Sequence, residues 1–555
     1  MATVAEVSDR YVAENAEADP TWALLVGVAA PARLSDQSPS GHQERAELAR
    51  RTLRALEVAD DVDETGRLGR SFLKGQLQGE LGLHDAGEHE RNVSALNGPQ
   101  AYVRQVFDLL PQASEADWQA VAECLAKVPQ AMDGYRATLE AGLAAGRVSS
   151  RRLAQAVAAQ CETWAGQDGS GWFSSLARRY GQGPLADRLA RLGAAADASY
   201  RELGQWLATA YAPQASARDG VGPERYQCWA RLTLGAELDM DEAYNWGWEE
   251  LGRLEAEKQR EAGRVLPGAT YDEAVALLST DPSRGIEGVE AWREWLQEVT
   301  DQAIASLDGV HFDISGPLRV CEVRVPPEGS AAAPYYTPPG DGFGRPGAIW
   351  FPAMGRSWFP TWDMPTTVFH EAVPGHHLQL GLARLLPLTR AHKVGSNSAH
   401  SEGWALYAER FMDEIGGFER PDFRLGFLSM QAFRAARVVV DIGLHTGRRV
   451  PPGWPSAGQA WGYDLAVEYI KSASGLSHAF CESEVLRYLS MPSQATCYKL
   501  GERAWLQGRE QARRQAHGSL DLKKWHNRAL ALGPLGLDAL LAELARAARG
   551  SGGPS

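Results

Sequence analysis

Cysteine is sparse in this chain and its spacing pairs nothing. The 555 residues include only six. Cys124, Cys161, Cys228, Cys321, Cys481 and Cys497 are scattered, with no C-x-x-C among them. That spacing gives no support to a thiolate metal site and argues against a disulfide framework, and leaves buried thiols in a reducing compartment as the expectation. Long apolar runs are also missing. No window approaches the ~18 uninterrupted apolar residues that a membrane helix needs. Positive charge is in deficit, 56 Lys and Arg against 70 Asp and Glu, for a net charge of −14. Such a surface disfavours nonspecific nucleic-acid binding, although a local basic pocket can sit in an acidic protein. The opening Met1-Ala-Thr-Val-Ala-Glu-Val-Ser-Asp-Arg10 has early acids and no apolar core. It reads as neither a signal peptide nor a lipoprotein leader, so the expectation is a cytoplasmic protein without nucleic-acid or membrane partners.

What remains is an ordinary globular balance, 44% hydrophobic and 23% charged, in a chain long enough for one large domain or several. Apolar residues recur at helical spacing from about Glu44 to Ala210, for example Leu48, Leu53 and Leu56, then Val103, Phe107 and Leu110. A long helix is expected between Asp239 and Gly263, and Thr270-Tyr-Asp-Glu273 has capping-box spacing. The texture changes near His311. Ile314–Val325 alternates like a strand, and Ala348–Pro352 reads as a second short strand. Between them, Ala333–Gly347 is too rich in Pro and Gly for regular structure. The predicted fold is mostly α, with an N-terminal helical region at 1–230 and a second helical region at 231–550. The second holds a β segment at about 311–353, and 551–555 is a tail.

The stretch that organises the chain is Thr366-Thr-Val-Phe-His-Glu-Ala-Val-Pro-Gly-His-His-Leu-Gln379. It gathers His370, Glu371, His376 and His377, three of the chain's 13 histidines. Neutral imidazoles with a carboxylate are the ligand set of a borderline-soft cation, zinc above all. A His-Glu-x-x-His helix puts its histidines at i and i+4, but here i+4 is Pro374. On an unbroken helix His377 would lie about 10 Å along the axis from His370, too far for one ion. Pro374-Gly375 therefore predicts a local bulge, two residues longer than the standard motif, that brings His376 to the second ligand position. His377 would then point about 100° away, behind the ligands or towards the cleft wall. Glu371, beside the first ligand, is the expected general base.

Downstream, Ser401-Glu-Gly-Trp-Ala-Leu-Tyr-Ala-Glu409 is helical from Ser398 or Ser401, and Glu402 is the expected third ligand, with His400 as a rival. Glu409, two turns further on, supports the site or faces solvent. Arg434, Arg437, Asp441 and His445 form one polar stripe on an apolar helix, a buried network, a cleft wall or a solvated face. Gln494, Tyr498 and Lys499 follow near a helix start.

These segments occur in order: His-Glu-Ala-Val-Pro-Gly-His-His-Leu-Gln, Ser-Glu-Gly-Trp-Ala-Leu-Tyr-Ala-Glu, Arg-Val-Val-Val-Asp-Ile-Gly-Leu-His, Glu-Ser-Glu-Val-Leu-Arg-Tyr and Gln-Ala-Thr-Cys-Tyr-Lys-Leu-Gly. Together they resemble the bacterial domain of unknown function 885 family, to about residue 515. Members of that family are similar to zinc metallopeptidases of the mostly helical thimet-oligopeptidase and carboxypeptidase Taq kind. One departure is Pro-Ser-Gln at 492–494, where relatives tend to have Pro-Gly-Gln. Many relatives look like secreted lipoproteins. The resemblance implies a helical zincin-like architecture with a small β-sheet beside the metal-bearing helix. It places His370, His376 and Glu402 at the metal positions and Glu371 as the base.

The resulting expectation is a Zn2+-dependent hydrolase of a peptide or small amide, exopeptidase-like if it grips a substrate carboxylate. Tyr498 and His445 are the candidate oxyanion donors, and Arg437 and Lys499 the candidate carboxylate anchors. Tyr336 and His377 are placed on the substrate side. The rivals are a specialised amide hydrolase acting on a biosynthetic intermediate, a metal-stabilised helical binding protein without turnover, and a redox enzyme holding iron on the same ligands.

Overall fold

The computed structural model describes residues 2–167, 169–314, 316–327, 333–340 and 343–550, the side chains of 547–550 excepted. The expected tail at 551–555 lies outside the described residues. Helices run from Val4–Ala18 to Leu537–Gly550, and the protein is mostly α. The helix ends follow from their capping residues. Thr270 and Glu273 form the expected capping box at Tyr271–Thr280, and Asp239 accepts from the N–H groups of Asp241 and Glu242 at the start of Met240–Val265. Tyr244, Trp248, Leu251 and Leu254 form the buried face of that long helix, which packs along Pro421–Thr446.

One apolar cluster extends from Val4 to Leu544 and crosses the 230/231 boundary without a gap. Polar ties also cross it. The Tyr226 hydroxyl donates to Asp441 Oδ2 at 2.6 Å, and the Ala391 N–H donates to Ser8 Oγ at 2.7 Å. Among the described residues no helix is long and apolar enough to cross a membrane.

The β structure is more extensive than expected. Gly347–Trp350 is the central strand of three, parallel to Cys321–Arg324 and antiparallel to Tyr335–Thr337. Tyr335–Thr337 falls inside the stretch expected to be irregular. Its pairing, Tyr335 opposite Trp350, lets the two rings stack 5.8 Å apart, and such a cross-strand pair can outweigh the local Pro and Gly content. The expected strand over Ile314–Val325 shortens, because Gly316–Arg319 is a 3-10 turn and Val320 is exposed. A second, two-stranded sheet pairs Gly285–Glu287 with Trp358–Pro360.

Two helices that carry candidate site residues nearly touch. Ser398–Glu414 and Cys497–Gln515 cross at Gly403 and Gly501, where a Cβ on Gly403 would sit 2.4 Å from the Gly501 backbone. Only the absence of a side chain allows this approach. Gly403→Ala is expected to force the helices apart and cost about 1–3 kcal/mol, the usual penalty of overpacking. The check is a lower denaturation midpoint at unchanged m-value, with Gly416→Ala, at a solvent-exposed turn, as the comparison for backbone strain alone.

Candidate metal centre

The expected bulge is a complete break. One helix, Met364–Glu371, ends at its C-cap Ala372, and a separate helix, His376–Leu385, begins four residues later. Pro374 has no N–H to continue the ladder. A Cβ at Gly375 would lie 1.9 Å from the His370 carbonyl oxygen, so the chain folds back on itself there as only glycine can. The Trp404 indole donates to the Pro374 carbonyl at 2.8 Å and pins the turn to the Ser398–Glu414 helix.

The turn brings the His370 and His376 rings to a centroid separation of 4.8 Å, nearly perpendicular. Glu402 Oε2 lies 3.4 Å from His370 Nε2 and 3.6 Å from His376 Nε2. For ligands about 2.1 Å from a tetrahedral ion, the edge between ligand atoms is about 3.4 Å. Glu402 Oε2 is buried, and both contacts are ion-pair approaches without a directed hydrogen bond. Two imidazole nitrogens and a carboxylate oxygen converging around one point therefore fit a divalent cation. These are the residues that can hold it, and they form one group of potential ligands within 4.8 Å of one another.

Support comes from the same helix as Glu402. Glu409, two turns on and fully buried, accepts from His370 Nδ1 at 2.7 Å. The His370 ring thus spans two carboxylates of one helix, and its Nδ1–H is committed to Glu409. That choice leaves Nε2 as the ring atom that faces Glu402 and His376. Thr366 donates to Glu409 at 2.8 Å, Gln431 at 3.3 Å, and Arg434 approaches to 3.7 Å. Burial works to lower the pKa of His370, but Glu402, Glu409 and the charge of Glu371 outweigh it and push it up to about 9. Glu402 is held well below the usual carboxylate range, because the two histidines outweigh its burial.

The description "Bacterial protein of unknown function (DUF885)" matches residues 20–544. The chain belongs to that family. Among solved structures, a candidate lipoprotein from Colwellia psychrerythraea is similar to this DUF885 chain at 20% identity and a TM-score of 0.85, covering 99% of this chain and 100% of its own. A candidate lipoprotein of unknown function from Shewanella oneidensis gives 16% identity and 0.77, covering 98% and 100%. At these identities the likeness establishes a shared fold. No curated protein matches the DUF885 chain.

The remaining predicted residues separate into two groups. Tyr498 and Arg437 stay beside the ligands. The Tyr498 ring lies 6.5 Å from the His370 ring and 4.5 Å from the Arg437 guanidinium carbon. Among the described residues, neither the Tyr498 hydroxyl nor the Glu371 carboxylate has a hydrogen-bond partner. Burial and then the charge of Glu402 push the Tyr498 phenol up, keeping it protonated.

The others are spent elsewhere. His377 donates from Nε2 to the Leu318 carbonyl at 3.0 Å, and its Nδ1 takes the Tyr336 hydroxyl at 3.1 Å. Both side chains therefore tether the sheet to the His376 helix, and their expected substrate-side role has no free polar atom to serve it. His445 takes the Val221 N–H on Nδ1 at 3.3 Å and gives Nε2–H to the Tyr488 carbonyl at 3.0 Å, so no proton is left for an oxyanion. Lys499 is fully buried against Glu250, Gln431 and Glu502, which together occupy its three protons. It cannot anchor a substrate. His400, the rival ligand, packs on Trp505 and takes the Leu535 N–H.

Sequence reasoning missed Glu484 and Arg487. Glu484 binds Arg437 at 2.6 Å and Arg487 at 2.8 Å, so the two guanidiniums share one carboxylate. The signal was present, since both lie in the Glu482–Tyr488 motif.

His370→Ala and His376→Ala are each expected to lose bound zinc, while His377→Ala keeps it, as read by metal analysis after dialysis. A second expectation follows from Asp441, where burial outweighs the hydrogen bonds of Tyr226 and Ser493 and the charge of Arg487, pushing it up to about 7. Its Oδ1 has no hydrogen bond and lies 3.6 Å from His445 Nε2. The folded state holds a proton here that the unfolded chain releases near pH 4. Stability from this group is therefore lost as pH rises from about 4 to about 7, at up to ~1.4 kcal/mol per unit. Asp441→Asn should gain stability relative to wild type across that window and show a constant difference above it, as measured by denaturation at each pH.

Proposed function

We propose that this chain is a zinc-dependent hydrolase of peptide or small amide bonds, with a zincin-like arrangement of its two short histidine helices. The observation that carries the reading is the convergent set of His370, His376 and Glu402, flanked by two unbonded groups, the Glu371 carboxylate and the Tyr498 hydroxyl. A zinc ion held by the three ligands would supply a Lewis acid, polarising a carbonyl and bringing the pKa of a water towards ~7.

Each residue then has one task. Glu371 accepts the proton of the attacking water on its carboxylate and returns it to the departing nitrogen. Tyr498, kept protonated, donates to the oxygen on which negative charge develops. Glu409 accepts the Nδ1–H of His370 and so turns Nε2 towards the position a cation would occupy.

Arg437 is the carboxylate anchor. One Arg437 nitrogen, Nη1, has no hydrogen bond among the described residues. The ring separations of 6.5 and 4.5 Å put its guanidinium carbon within about 11 Å of the His370 ring. With ~3.6 Å of chain per residue, that gap holds at most about three residues beyond the scissile bond. The substrate is accordingly a short peptide or amide with a free carboxylate, cut near that end.

Glu371→Gln is expected to keep zinc and lose at least ~100-fold in kcat. Arg437→Ala should raise KM about 10- to 100-fold for substrates with a free carboxylate and leave their amidated forms unchanged. A mass-spectrometric screen of paired free-acid and amide libraries supplies both readouts. Full turnover by Glu371→Gln on the substrate found would overturn the mechanism.

A further inference from the structure

A cavity on the far side of Tyr488 and His445 has no part in this chemistry. It lies where the N-terminal helices meet the segment before the Pro223–Thr233 helix and the turn after the His478–Ser490 helix. It offers about 50 Å3 to water-sized occupants, room for several waters at ~10–15 Å3 each or for one tetrahedral oxyanion.

Its lining is cationic in an acidic protein. Arg91, Arg218 and Arg225 face it, and Arg152 stands behind Asp219 at 3.1 Å. Against these four arginines stand two carboxylates, Asp219 and the buried Glu88, a positive excess of two. Glu88 is already saturated, taking two bonds from Arg225 at 2.7 and 2.9 Å and the Trp229 indole at 2.9 Å.

Donors are left over. Arg91 Nε is buried without a hydrogen bond, lying 3.2 Å from Glu88 Oε1 but off the bonding direction. The Arg218 guanidinium and the Ser149 hydroxyl have no partner among the described residues. The Arg151–Ala165 helix opens here, capped by Ser150, and adds the positive end of its dipole. Buried like charges also repel. Burial first, and then Arg225, hold the Arg91 guanidinium below its ordinary value. An unneutralised cluster of this kind is costly unless an anion joins it.

We propose that this cavity binds a phosphate dianion, either free or as the phosphoryl group of a small ester. The excess of two positive charges matches a dianion, and planar guanidiniums pair with phosphate oxygens two bonds at a time. The occupant ties the N-terminal helices to residues 489–492, the turn that leads to the Tyr498 helix. The site does not depend on the proposed metal chemistry.

The test is thermal unfolding of the full chain in sodium phosphate, against sodium chloride at matched ionic strength. Phosphate at saturation is expected to raise Tm by about 3 °C, as a ligand of the native state alone does. Arg91→Gln should abolish the rise, and Arg218→Ala, an exposed and unpartnered side chain, should at least halve it without loss of folding. Glu402→Ala should respond like wild type, because the metal ligands are elsewhere. Glycerol phosphate separates the two sources: a lower half-saturating concentration than for phosphate assigns the site to an ester, and an equal or higher one to the free ion. An equal rise in chloride, an undiminished rise in both arginine variants, or loss of the rise in Glu402→Ala would each overturn the proposal.

Discussion

The candidate centre depends on one carboxylate taken wholly out of water. Glu409 has no exposed surface, yet its pKa is held down, with burial opposed by Arg434, His370 and Thr366. An ionised carboxylate in such a place is tolerated only with a full set of donors, and Thr366, His370 and Gln431 supply them. These residues come from three helices, Met364–Glu371, Ser398–Glu414 and Pro421–Thr446. One buried charge thereby sets the mutual position of three elements and the orientation of the His370 ring. Moving any of them leaves the charge uncompensated, so the arrangement is rigid for the reason that makes it expensive.

The same logic runs through the Pro421–Thr446 helix, whose polar residues are nearly all buried and paired. Arg437 meets Glu484 and Tyr488, Asp441 meets Tyr226 and Ser493, and His445 bridges Val221 to Tyr488. The stripe is a buried network along most of its length. Near the ligand set, Arg437 Nη1, Arg434 Nε and Nη1, the Tyr498 hydroxyl and the Glu371 carboxylate have no hydrogen bond among the described residues. Ser493 shows how closely the backbone is held. Its φ of 68° is left-handed, a conformation glycine adopts without cost, and its N–H is anchored on Asp441 at 2.9 Å.

Charge is distributed unevenly through the protein. The chain carries a net −14, and the ligand set gathers Glu371, Glu402 and Glu409 around two histidines. Arginines cluster in the Arg437–Arg487 pair and around the cavity between the two helical regions. Net charge describes the average surface and says nothing of these local reversals.

Much of this was legible in the residue order. Helical periodicity and capping boxes mark the helices because they are local properties, set by side chains three or four positions apart. The His370-to-His377 spacing, broken by Pro374 and Gly375, points to His376 rather than His377 turning towards His370, since proline and glycine change the backbone wherever they stand. Tertiary structure alone decided what those side chains have left to give. Lys499 and His445 look available in the sequence, but Glu250 and Gln431 reach the first, and Val221 and Tyr488 the second, from positions far along the chain. The strand at Tyr335–Thr337 likewise forms only because Gly347–Trp350 lies beside it. A residue type carries its own chemistry. Whether its protons and lone pairs are already spent depends on neighbours that only folding brings within 3 Å.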